Sequence, residues 1–187
     1  VRGTKVTLPY HMGSMDKIKE EAALLNWLAT HQAPYLVGDK LDGVSLLCHH
    51  HRGRTRLYTR GDGDVGQDVS HLLPLIQLPP SALERGGRDW AVRGEAIMRE
   101  SDWQQWAGVR KNPRSTVAGL INTDPDNLDP EMVRAVRLVA FEVVEPQLCP
   151  SQWSEWLSDR GWQTVYTRRF QELSLDRLTE LYARRQQ

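Results

Sequence analysis

A lysine stands two residues ahead of an aspartate in the run Lys40-Leu41-Asp42-Gly43, an amine nucleophile set beside a carboxylate. The run lies inside Tyr35–Leu47, an apolar stretch of strand composition, which predicts Lys40 at the edge of a buried strand. Side chains of an extended segment alternate between faces, so Lys40 and Asp42 are expected to project to the same side. Gly43 leaves room beside them for a ligand or a second backbone. A lysine buried in apolar surroundings next to a bound cation can lose its proton near neutral pH and attack an electrophile such as a phosphorus centre. A surface Lys-Asp pair satisfies the same four residues, so the reading depends on what else the chain carries.

Three further blocks follow in order. Tyr58 to Ser70 contains Thr59-Arg60-Gly61-Asp62-Gly63, then come Val92-Arg93-Gly94-Glu95 and Asn112-Pro113-Arg114, while Leu8 to Asp16 precedes the lysine. Together these blocks resemble the adenylation (nucleotidyltransferase) domain of NAD-dependent DNA ligases. The resemblance runs from about Leu8 to the Phe141–Val144 strand. It implies an α+β covalent nucleotidyltransferase fold of the ATP-grasp-like kind, with mainly antiparallel sheets flanked by helices. It also implies a mechanism: Lys40 attacks the α-phosphorus of NAD, nicotinamide mononucleotide leaves, and AMP stays on the lysine, the first step of joining a DNA nick. By the same resemblance Arg60 holds the ribose or phosphate side and Arg114 contacts phosphates or the nick. Ser14 and Met15 match positions near the adenine and ribose, with Gly43 close by. Asp42 and Glu95 bind ribose hydroxyls or Mg²⁺ through hard oxygen ligands. The implied partners are NAD and nicked double-stranded DNA.

The chain departs from that pattern in places. Gly38 stands where the family carries a glutamate that reads adenine, and Asn122 where it often carries a further arginine. No lysine follows Lys111, so the family's late lysine motifs are absent. The expectation is an adenylation-domain core over residues 1–187, a fragment without the N-terminal nicotinamide-binding subdomain, the last lysine motifs or the oligonucleotide-binding domain. Two other readings stay open: an ATP-dependent polynucleotide ligase or related covalent nucleotidyltransferase, and a degenerate ligase-like module that binds nucleic acid without chemistry.

Other conspicuous residues read as structure. Gly61 to Gly66 is flanked by acids, which favours a hairpin turn fixed by Asp62 and Asp68 over a phosphate cradle. Consecutive His49, His50 and His51 alternate faces on a strand and cannot all reach one ion. Trp103 with Trp106, and Trp153 with Trp156, have the spacing of apolar helix faces.

The elements that must position the chemistry follow from periodicity. Helices are expected over Met15–Thr30, capped by Ser14 or Asp16, and over Glu100–Ala107, Asn112–Ile121, Ser151–Arg160 and Ser174–Arg185. Strands are expected over Tyr35–Leu47, Arg54–Thr59, Trp90–Met98 and Val136–Val144. A length of 187 residues suits one domain, or one with a small appendage. The formal net charge is zero, so no global field draws the chain to nucleic acid. Only five of the 24 basic residues are lysines, which leaves few candidates for lysine chemistry. Cys48 and Cys149 show no paired spacing, in keeping with a reduced cytoplasm. No signal peptide or membrane-length apolar run is present, and the reading is cytoplasmic with no membrane partner.

Overall fold

The computed structural model describes residues 4–185. In chain order the strands are β1 (Lys5–Thr7), β2 (Tyr35–Gly38), β3 (Val44–His51), β4 (Arg54–Thr59), β5 (Val65–Gln67), β6 (Trp90–Ile97), β7 (Arg137–Glu145) and β8 (Thr167–Phe170). The α-helices are α1 (Glu21–Thr30), α2 (Glu100–Trp103), α3 (Pro113–Ile121), α4 (Pro130–Arg134), α5 (Pro150–Ser158) and α6 (Leu175–Arg185). The chain divides into two compact units, one running up to Gly13 and from Lys40 to Val165, the other comprising Ser14–Asp39 and the chain from Tyr166.

The larger unit is built on an antiparallel sheet in the order β4-β3-β6-β7. Alternation along β3 divides its apolar residues between two faces. Leu46 and Cys48, with the cross-strand partners Leu57 and Val92 of Cys48, enter the main core with Trp103, Val117, Leu120, Val133 and Leu157. Leu47 and its partner Tyr58 turn to the other face and pack with Leu8, Met12 and Ala91. Each fully buried leucine stabilises this arrangement by about 1.5–3 kcal/mol. Trp106, Trp153 and Trp156 lie against the main core, as their helical spacing predicts. A second, two-stranded sheet pairs β1 with β5.

In the smaller unit β2 pairs antiparallel with β8, and α1 touches α6. Trp27 stacks on His31 with ring centroids 4.2 Å apart, and the Tyr35 hydroxyl donates to the His31 carbonyl at 2.6 Å.

Three expectations are corrected. The strand expected over Tyr35–Leu47 is two strands, because β2 takes its hydrogen bonds from β8 while β3 takes its own from β4 and β6. Lys40, Leu41, Asp42 and Gly43 form the connection between them, so strand alternation does not orient Lys40 and Asp42, and both are exposed rather than buried. The first helix begins at Glu21 and not Met15, and neither Ser14 nor Asp16 caps it. Residues 14–20 carry only two apolar side chains, Met15 and Ile18, both exposed, and the dense apolar run that a helix can pack starts only at Ala22. Helix α5 is capped at Cys149, two residues before the predicted Ser151, because Pro150 fits the first helical position and the Gln152 side chain accepts from the Cys149 N–H at 3.1 Å. By contrast Ser174 does cap α6, its hydroxyl accepting from the Arg177 N–H at 3.2 Å.

Candidate active site

The register of β3 on β6 sets Ser45 directly opposite Glu95. One carboxylate oxygen of Glu95 accepts from the Ser45 hydroxyl at 2.7 Å, and the other from the backbone N–H of Gly43 at 3.1 Å. Bonds from both ends of the carboxylate fix its plane, and fasten the start of β3 to β6. Gly43 is buried, and a Cβ built on it would lie 2.2 Å from the Ala96 carbonyl oxygen and 2.8 Å from Ile97 Cγ2. Close approach of two backbones, not an unusual φ, is what demands glycine here.

The Lys40–Gly43 connection feeds into this clamp. Asp42 ion-pairs with Arg114 at 3.0 Å. Arg114 is delivered by the first turn of α3, where the Asn112 side chain accepts from the Ser115 N–H at 2.8 Å and Pro113 holds the first helical position. Both partners are well exposed, so their pairing orients groups more than it stabilises the fold.

Arg60 follows the last residue of β4, and its backbone N–H donates to the Ser45 carbonyl at 3.3 Å. The turn after it is tightly determined. Asp62 accepts from the N–H groups of Val65 at 2.8 Å and Asp64 at 3.0 Å, and these bonds hold its carboxyl below the usual range. Gly61 has φ +56°, and a Cβ there would fall 1.8 Å from the Val65 carbonyl oxygen. Asp68 likewise ties the Ser70 N–H at 2.9 Å. The tight-turn reading of this segment therefore holds with Asp62 in the expected role, whereas Asp68 fixes the turn that follows β5.

Thus Gly43, Glu95 and Arg60 meet around Ser45, and Asp42 meets Arg114, all within the larger unit. Ser14 and Met15 belong to the smaller unit. Ser45 was not picked out from sequence, although its place two residues beyond Gly43, on a strand that could pair with the Glu95 strand, is a usable signal. Arg93 pairs with Glu142 at 2.8 Å and donates to the Gly13 carbonyl at 2.9 Å. A cleft of about 410 Å³ is lined in part by Val44, Thr59, Gly61, Asp62, Ile121 and Asn122; none of these is a predicted site residue, but Val44 adjoins Gly43 and Thr59 and Gly61 flank Arg60 in the chain.

The histidine triplet is structural. His50 is buried, with one ring nitrogen 2.9 Å from the Thr55 hydroxyl and the other 2.8 Å from the Gly86 carbonyl, and His51 pairs with Asp89 at 2.7 Å. Among the described residues no group of three or more His, Cys, Asp or Glu side chains could enclose a metal ion. Of the two carboxylates expected to bind Mg²⁺, Asp42 pairs with Arg114 while Glu95 accepts from Ser45 and the Gly43 N–H. No helix among the described residues is long and apolar enough to cross a membrane.

A family model described as the NAD-dependent DNA ligase adenylation domain matches residues 4–186. The DNA ligase of Acanthamoeba polyphaga mimivirus is 40% identical over 167 residues, covering 89% of this chain and 26% of that protein. The putative DNA ligase 205R of Invertebrate iridescent virus 6 is 32% identical over 143 residues, 75% of this chain and 23% of its own. The chain therefore spans about a quarter of the length of the curated relatives it matches. The solved structure named Pmar-Lig_Pre. superposes with a TM-score of 0.54 at 11% identity, covering 85% of this chain and 36% of that one, a likeness of fold.

Proposed function

The chain belongs to the family of NAD-dependent DNA ligase adenylation domains, and on that premise we propose that Lys40 accepts AMP from NAD as the first step of sealing a DNA nick. The Lys40 amine attacks the α-phosphorus. A P–N bond forms, the bond to nicotinamide mononucleotide breaks, the displaced oxygen takes the electron pair, and the amine proton passes to solvent. Little covalent work falls to the protein beyond presenting the amine, so positioning and charge carry the rate. Arg60 and Arg114 offer guanidinium donors to the phosphates. Glu95, held on both oxygens by Ser45 and Gly43, offers a fixed acceptor to the ribose hydroxyls. A Mg²⁺ ion held by Glu95 and Asp42 would neutralise charge on the phosphate oxygens. Ser14 and Met15 are the residues proposed to meet the adenosine. Nicked duplex DNA is the proposed partner, and the remaining steps of ligation are proposed of the whole protein.

The observation that carries this reading is the Gly43–Glu95–Ser45 clamp, which joins the lysine motif to the Arg-Gly-Glu motif of a different strand. Intact-mass measurement of this chain and of a version extended at both ends, after incubation with Mg²⁺ and NAD, is expected to show one added adenylyl group on the extended version, lost in its Lys40→Ala variant. Lys40 is exposed, so the variant should unfold at the same midpoint as the parent. An adduct that survives Lys40→Ala, or that forms from ATP and not from NAD, refutes the proposal.

A further inference from the structure

The arginines of this chain are unevenly spread in a way the adenylation site does not use. Between His49 and Arg56 the sequence carries three histidines and three arginines and no acid, in a chain whose formal net charge is zero. That stretch is the end of the β3–β4 hairpin. Its register pairs His51 with Arg54 and His49 with Arg56, and cross-strand partners share a face, so the guanidinium groups of Arg54 and Arg56 stand on one face beside two imidazoles. Arg52, Arg54 and Arg56 are exposed. Arg52 sits at the turn itself with φ 49°, where asparagine, aspartate or glycine would be the unstrained choice. Residues 84–89, with exposed Arg85 and Arg88, dock on this hairpin end through the His50–Gly86 bond and through Asp89, which accepts from the Arg52 N–H at 3.0 Å. The acids nearby are Glu84, Asp89, Asp68 and, across β6 from His49, Glu145. Asp89 is engaged by His51 and the Arg52 N–H, and Asp68 lies 3.4 Å from Arg56 while also holding Ser70. The patch keeps a cationic excess.

The placement matters as much as the charge. His49 and His51 lie on the same face of β3 as Ser45, because alternate residues share a face. From Ser45 to His51 is six residues, roughly 20 Å along the strand, which is the rise of roughly six base pairs of B-form DNA. Alternate arginines about 6.6 Å apart can each meet a separate phosphate.

We propose that the end of the β3–β4 hairpin is a second grip on duplex DNA, taking backbone phosphates roughly six base pairs from the reacting end. This rests on the ligase reading of the Lys40 site and extends it. The grip is electrostatic and reads no sequence.

The test is anisotropy of the chain with a labelled nicked duplex across a salt series. The double variant Arg54→Gln/Arg56→Gln should lower the slope of log K against log salt by about 2, one unit for each phosphate contact, and weaken binding roughly tenfold near 0.1 M salt. Arg54→Gln alone, which leaves the Arg56–Asp68 pair intact, should lower the slope by about 1. Shortening the duplex arm below about six base pairs should bring the parent down to the affinity of the double variant and leave that variant unmoved. An unchanged slope, no binding of the parent at low salt, or a loss seen on an RNA duplex but not on DNA overturns the proposal. Adenylyl transfer from NAD, followed by mass on the same proteins, should be equal in parent and variants. A changed slope with no adenylyl adduct even on the version extended at both ends would remove the ligase reading and leave the cationic grip, whereas an adduct with an unchanged slope would do the reverse.

Discussion

Replacing Gly43 by alanine puts one methyl group into a space that two backbones already fill. The new Cβ would stand 2.2 Å from the Ala96 carbonyl oxygen and 2.8 Å from Ile97 Cγ2. Comfortable C···O contacts lie near 3.3 Å, so the start of β3 and the Ala96 backbone must part by roughly 1 Å. The Ile97 side chain can rotate, but the carbonyl belongs to the β3–β6 ladder and cannot move alone. Overpacking of this kind costs about 1–3 kcal/mol, which corresponds to a fall of roughly 2–12 °C in the unfolding midpoint of a chain this size. The same shift draws the Gly43 N–H away from Glu95, to which it now donates at 3.1 Å, and moves the segment that carries Lys40. A misplacement of about 1 Å can cost 10²-fold in rate. Adenylation followed by mass should therefore slow roughly a hundredfold even where the protein remains folded. Gly119→Ala is the control: it lies on an exposed stretch of α3 with nothing within 4 Å of its added Cβ, and should be neutral or stabilising by up to about 1 kcal/mol. Gly43→Ala adenylating at the parental rate with an unchanged midpoint would refute both the clamp and its role.

Glu95→Gln should slow adenylation more than Ser45→Ala, since the glutamine loses the charge offered to ribose or Mg²⁺ while the serine change removes only one of the two bonds on the carboxylate; equal rates would assign Glu95 to structure alone. Cys149 is exposed, whereas Cys48 is fully buried and burial pushes its thiol far above the usual range, so a thiol reagent should modify one cysteine in the native chain and both after unfolding. Burial holds the imidazoles of His49 and His71 below the usual 6.5, with His51 adding to the effect at His49. Below that pH the unfolded chain binds more protons than the folded one, so stability should fall as pH drops through 6.5 and cease falling on this account once the folded imidazoles protonate. Denaturation midpoints between pH 8 and 5 that show no such decline, or a decline that persists unaltered in His49→Gln, would contradict it.

Residue type and order were enough to place this chain in its family. Lys40, Asp42, Arg60, Glu95 and Arg114 could be picked out as candidates, because the nucleophile, acids and phosphate-binding arginines proposed here are chosen for what their side chains do, and side-chain type is written in the sequence. The turn after Arg60 was legible for a related reason: Gly61 and Asp62 act through bonds only a few residues long. What tertiary structure decided was partnership over distance. No local pattern distinguishes one long strand over Tyr35–Leu47 from two short ones, since the break arises only when β8, some 130 residues later, takes β2 away from the sheet that holds β3. That break puts Lys40 on an exposed connection instead of a buried edge. Ser45 gained its part in the same way, from a register with Glu95 that hydrogen bonding between β3 and β6 sets across a sequence separation of 50.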